Sequence, residues 1–144
     1  MSVTTTFANE LLALILEGTA IANIADNAAS SPLTTLYVSL HTASPGTSGS
    51  QNTSETGYTG YARRPINRDN TGWTAASGDS DNDADITFGQ CTAAPGSDLT
   101  HVGIGTASSG AGKLLFYGAL TSSIIMQVGA TPLFSADNLD VICS

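Results

Sequence analysis

From Leu36 onward the chain is written in short runs whose apolar residues fall at every second position. That period constrains the fold more than any other feature of its 144 residues. Leu36, Val38 and Leu40 alternate with Tyr37, Ser39 and His41, and Ile86 and Phe88 flank Thr87. Val102 and Ile104 point opposite to His101, Leu114, Phe116 and Leu120 share a face, and Ile124, Met126 and Val128 make a further strand. Residues 139–143 alternate again. A period of two marks a strand with one face buried and one wet. Ser44-Pro45-Gly46, Ala94-Pro95-Gly96-Ser97, residues 108–112 and residues 129–132 supply the turns between runs. Seven or eight short strands are therefore predicted, in a mainly β fold that is an antiparallel β-sandwich or a jelly-roll-like barrel.

The N-terminal part reads differently. Residues 4–17 carry a helical stripe of Leu11, Leu12, Ile15 and Leu16 with Phe7 one turn earlier. Thr5 or Thr6 can cap it, Asn9 and Glu10 suit the positive end of the helix dipole, and Gly18 is a natural stop. A second, weaker helical piece spans residues 20–28, with Ile21 and Ile24 on one side, and ends at Ala29-Ser30-Ser31-Pro32. The chain is expected to form one domain, residues 1–144, with a helical segment at about 4–28 and a β core at about 34–143. It holds no internal repeat and no heptad pattern.

Residues 36–64 look like a display scaffold. An aromatic return strand, Tyr58-Thr59-Gly60-Tyr61-Ala62-Arg63, is predicted to follow the long polar loop 44–57. The loop has no apolar anchor, and Glu55 is its only ionised group, so it is expected to lie along a neighbouring subunit or to stay mobile. Arg63, Arg64 and Arg68 supply three of the four positive charges. They either pair with the acidic run 79–85 or anchor the chain to an acidic partner, since Arg is favoured at interfaces. The residues expected to touch a partner are Tyr37, His41, Tyr58, Tyr61, Arg63 and Arg64.

Composition excludes several classes. A net charge of -8 argues against nucleic acid, which needs a basic footprint, and against anionic lipid. No apolar run approaches the length of a membrane span. The first residues carry no basic n-region, so synthesis in a cytoplasm is expected. Two cysteines, Cys91 and Cys143, are too few for a disulfide framework and read as buried thiols, with a single bridge between them as the alternative.

Candidate chemistry is sparse. Asp79, Asp81, Asp83 and Asp85 fall at alternate positions, as in the first half of a calcium loop, which makes them weak metal candidates. Ala84 replaces the loop glycine and Gln90 the terminal glutamate, so a solvated loop is the simpler reading. Residues 105–113 imitate a phosphate loop but have the wrong spacing, and Leu114 stands where a hydroxyl is needed. His41 and His101 are both placed on outward faces, without an accompanying nucleophile elbow, metalloprotease or Cys-x-x-Cys motif. No enzyme and no cofactor are expected.

Several segments together carry a resemblance: Leu36-Tyr-Val-Ser-Leu-His-Thr-Ala-Ser-Pro-Gly, Tyr58-Thr-Gly-Tyr-Ala-Arg, Thr100-His-Val-Gly-Ile-Gly, Leu114-Leu-Phe-Tyr-Gly-Ala-Leu and Thr131-Pro-Leu-Phe. From about Phe7 on, the chain resembles small structural proteins of tailed bacteriophages, of the tail-fibre-like and head-decoration kind. The resemblance implies a non-enzymatic virion component made in the host bacterial cytoplasm. Because no elongated stem is visible, the first expectation is a capsid decoration (cement) protein that binds capsid protein and forms a homo-oligomer. The alternative is a tail, collar or baseplate/tail-fibre component, with tail or baseplate proteins as partners. A third reading, a carbohydrate-binding module, would use Tyr37, Tyr58, Tyr61 or Trp73 as stacking platforms.

Overall fold

A computed structural model describes residues 5–21 and 32–142. Helix α1 (Thr5–Leu12) runs on into a π-helical turn, Ala13–Glu17. Nine strands follow among the described residues: β1 (Thr35–His41), β2 (Arg64–Asn67), β3 (Trp73–Ala76), β4 (Asp79–Asn82), β5 (Ile86–Thr87), β6 (Leu99–Gly105), β7 (Leu114–Ile124), β8 (Leu133–Phe134) and β9 (Val141–Ile142). They form a four-stranded sheet in the order β2-β1-β6-β7, a three-stranded sheet β3-β4-β9 and a pair β5-β8. The fold is mainly β, with antiparallel, sandwich-like sheets and one short N-terminal helix, and no sheet of the described residues closes into a barrel. The chain divides into two compact units, one made of residues 1–35, 66–85 and 134–144, the other of residues 36–65 and 86–133.

In the first unit α1 packs on β3 and β4. Ala8, Leu12 and Leu16 are its buried positions, one turn apart, while Leu11 and Ile15 are half-buried. Gly18 stops the helix as expected, with φ at 72°, a left-handed conformation that glycine reaches without Cβ strain. Asn9 serves the sheet rather than the helix dipole, and Glu17 at the far end of the helical segment does the same. The Asn9 amide oxygen accepts from the Gly78 N–H, and Glu17 Oε1 accepts from the Ala75 N–H at 2.8 Å. Arg68 binds the same helix by donating to the carbonyls of Leu14 and Ile15, and also to that of Leu33. Those helix carbonyls lie near a C-terminal end, where a cation is favourable. The second helical piece expected over 20–28 lies almost wholly outside the described residues.

The first half of the acidic run is a strand, and only residues 83–85 are loop. Asp79–Asn82 is strand β4, paired with β3 across the two-residue turn Ser77-Gly78, both at positive φ. This is the turn type that matches strand twist in a tight hairpin. Alternation at every second position suits a strand as well as a calcium loop, and here it sends Ser80 and Asn82 inward and leaves Asp79 and Asp81 half-exposed. Asp83 accepts from the Thr74 hydroxyl and Asp85 from the Ala136 N–H. No group of three acidic, His or Cys side chains among the described residues is placed to share a metal.

Asn82 is fully buried and its amide is fully used. Its Nδ2 donates to the Ala84 and Ser135 carbonyls, and its Oδ1 accepts from the Asn138 and Leu139 N–H groups. A buried amide so satisfied is stabilising, whereas an orphaned one costs ~1–3 kcal/mol. Trp73, opposite Asn82 in the hairpin, is also fully buried.

Asp81 has a titration consequence. A hydrogen bond shared with the Asp140 carboxyl, followed by partial burial, pushes its carboxyl up to about 6. The folded state thus holds a proton that the unfolded chain has already released, so this group costs stability as pH rises from the ordinary carboxylate range through 6, and the cost is relieved on acidification. Asp81→Asn is expected to raise the melting temperature at pH 7 and to change it little at pH 4. A gain that is equal at both pH values, measured by calorimetry, would contradict the shared proton.

Candidate functional site

The second unit is built on β1 and β6, paired in register from Tyr37 opposite Gly105 to His41 opposite His101. Leu36, Val38 and Leu40 are buried as expected, and so are Val102 and Ile104. Ser39 and His41 are equally buried, which corrects their outward placement. The face that the alternation assigned to water is covered by the loop 44–57. His41 Nδ1 lies 2.9 Å from the Thr53 carbonyl and Nε2 lies 2.9 Å from the Ser39 hydroxyl, which also donates to the Gly103 carbonyl. Burial lowers the His41 pKa and keeps the ring neutral. A Cβ at Gly103 would stand 2.8 Å from His41 Nε2 and 3.0 Å from Ser39 Oγ, so the glycine is what lets this pair fit. A serine hydroxyl beside a histidine resembles a nucleophile and its base, but both groups here lack any exposed surface.

The loop is tied to its own unit, in place of the mobile or neighbour-seeking loop expected from its composition. Gln51 is fully buried. Its Nε2 donates to the Tyr37 carbonyl, its Oε1 accepts from the Ala107 N–H, and its backbone N–H donates to the Gly112 carbonyl. Thr42 and Thr56 donate backbone N–H groups to Ser54 and Leu40, so the loop's end continues the sheet beside β1, with Glu55 bridging His41.

Glu55 is the hub. Arg63 grips it with two parallel bonds, Nε to Oε1 at 2.6 Å and Nη2 to Oε2 at 2.7 Å. Two further Arg63 N–H groups reach the carbonyls of Ala107 at 2.8 Å and Gly110 at 2.7 Å. The Tyr61 hydroxyl donates to Glu55 Oε1 at 2.7 Å and accepts from the Leu40 N–H at 3.1 Å. Side-chain exposure is 2% for Arg63 and 15% for Glu55. Fork-on-carboxylate pairing is the strongest form of such a bond. The Glu55 bond raises the Arg63 pKa further, and burial raises that of Tyr61. One ion pair thus joins the 44–57 loop, the 105–113 loop and the strand end at Leu40.

The expected return strand is absent as a strand. Tyr58, Gly60 and Tyr61 form a turn closed by the Tyr61 N–H on the Tyr58 carbonyl, and Thr59 makes an isolated bridge to Ala93. Gly60 has φ at 107°, and a Cβ there would stand 2.2 Å from the Gln90 carbonyl oxygen, so the chain turns where alternation predicted extension. Pairing resumes only at β2. Tyr58 is buried with its hydroxyl on the Gly89 carbonyl, and Tyr61 stacks on Phe88.

The named residues therefore separate. His41, Tyr58 and Arg63 are interior, Tyr61 belongs to the Glu55 network, and Tyr37 and Arg64 are half-exposed. Arg64 donates to the Thr87 carbonyl. Arg63 is paired with Glu55, and Arg64 and Arg68 donate to backbone carbonyls of their own units. As a glycan platform Trp73 and Tyr58 are corrected outright, because both are buried. Cys91 is a buried free thiol, and Cys143 lies outside the described residues.

The buried roles of Glu55 and Gln51 are hidden in the sequence because a lone acid and a lone amide in a Ser/Thr/Gly loop look solvated. The usable signal was charge scarcity: one acid in the loop and an arginine eight residues on.

The family model of Podophage GP4 fiber I protein gp80 matches residues 2–142. The chain belongs to this phage fibre family. The match supports the tail-fibre alternative more than the capsid-decoration expectation. No curated protein matches the chain. No helix among the described residues is long and apolar enough to cross a membrane.

Proposed function

We propose that this chain is a non-enzymatic structural component of the fibre apparatus on the tail of a short-tailed bacteriophage. The observation that carries the reading is the fibre-family match over almost the whole length of the chain. The Glu55–Arg63 latch fits it, because a fibre component must hold its shape while carrying load, and buried bidentate pairs fix loops that polar sequence alone would leave loose. The partners are other tail proteins and further copies of the chain, and the location is the virion.

Quantitative mass spectrometry of purified particles tests this. A tail component is present in far fewer copies than the major capsid protein. A copy number comparable to that of the capsid protein would return the chain to a decoration role.

A further inference from the structure

Strand β7 ends the four-stranded sheet: β6 lies on one side of it, and no strand of the described residues lies on the other. At eleven residues it outruns β6, which has seven. A sheet edge offers unpaired N–H and C=O groups to any passing strand, and natural proteins block such edges with charge, proline, bulges or short length. Within β7 there is neither a charge nor a proline, and every residue between Lys113 and Asp137 is uncharged. Register shifts fall near its two ends, leaving residues 116–119 as the regular centre.

Among the described residues, four of the six exposed large apolar side chains fall in or just after the same strand, Leu33 and Ile142 being the other two. Tyr117 is 39% exposed, Ile125 72%, Val128 63% and Leu133 45%. Leu114, Phe116 and Leu120 on the other face of β7 are only half-buried, and a Cβ at Gly118 would meet nothing within 4 Å. An uncharged, partly apolar edge in a chain of net charge -8 needs a reason.

We propose that β7 and the uncharged segment after it are the surface through which copies of this chain associate. Charge selects the occupant. Two copies repel wherever acid meets acid, and this run is an uncharged edge where identical surfaces meet without that repulsion. An antiparallel edge is also self-complementary: the same segment on two copies can supply both halves of a two-fold ladder. A basic partner would instead be met by carboxylates, which this run lacks.

Sedimentation velocity on the full chain tests the proposal. The wild type is expected to sediment as a multimer, more firmly as salt screens the residual repulsion between acids. Tyr117→Lys and Ser122→Lys each place a charge at an exposed position and are expected to give monomers with unchanged circular dichroism and melting. If Tyr117→Lys fails to fold, Ser122→Lys decides alone. A wild type that is monomeric at every concentration, a folded Ser122→Lys variant that assembles like the wild type, or assembly that weakens with salt would each overturn the proposal. A monomer that still maps to the fibre would leave the virion reading standing.

Discussion

Glu55→Ala is expected to lower stability by about 3–5 kcal/mol, because it strands the Arg63 guanidinium in the interior. The side chain of Arg63 is 2% exposed, and two of its five N–H donors would lose their acceptor. The Tyr61 hydroxyl would lose its acceptor too, and through it the Leu40 N–H is affected. The loss should appear in denaturant titration as a lower midpoint. The double variant Glu55→Met, Arg63→Met should recover much of it, since removing both charges also removes their desolvation cost. A loss under ~1 kcal/mol would place the pair with ordinary surface salt bridges and refute the latch.

The second large effect belongs to the other unit. Trp73→Ala is expected to cost about 3–5 kcal/mol, the range for removing a fully buried large aromatic. Trp73→Phe should cost well under half of that. The indole Nε1 has no hydrogen-bond partner among the described residues, so deleting it removes an unsatisfied donor along with some packing. Trp73 is the only tryptophan, so its fluorescence reports the same transition directly. If phenylalanine costs as much as alanine, the indole nitrogen is engaged rather than orphaned.

The fold class was legible because the apolar residues of β1 and β6 recur at every second position and are all buried, and because the helix ends at a glycine. Failures arose where two structures share one periodicity or where a backbone device overrides it. In residues 79–85 the spacing of carboxylates fits a calcium loop and a strand alike. Only the Ser77-Gly78 turn before it tips the balance, and that dipeptide is a recognised hairpin signal. At Gly60 a positive φ broke an aromatic run that otherwise read as a strand. After Ile124 the apolar spacing continues, yet Met126 is buried while Val128 is exposed, so no strand forms there.

The site was less legible than the fold for one physical reason. Burial on the second face of β1 comes from loop residues such as Gln51 and Thr53, which meet Tyr37 and His41 across the loop, and no local pattern in β1 announces it. His41 looks outward in its own strand and becomes interior only when Thr53 and Glu55 close over it. A polar, low-complexity loop can be ordered by one buried pair and one satisfied amide, and composition does not reveal either.

The most direct test of the central claim is electron microscopy of intact particles labelled with an antibody against this chain. Label confined to the tail, at the fibres, is the predicted result. Label spread over the capsid shell would contradict it.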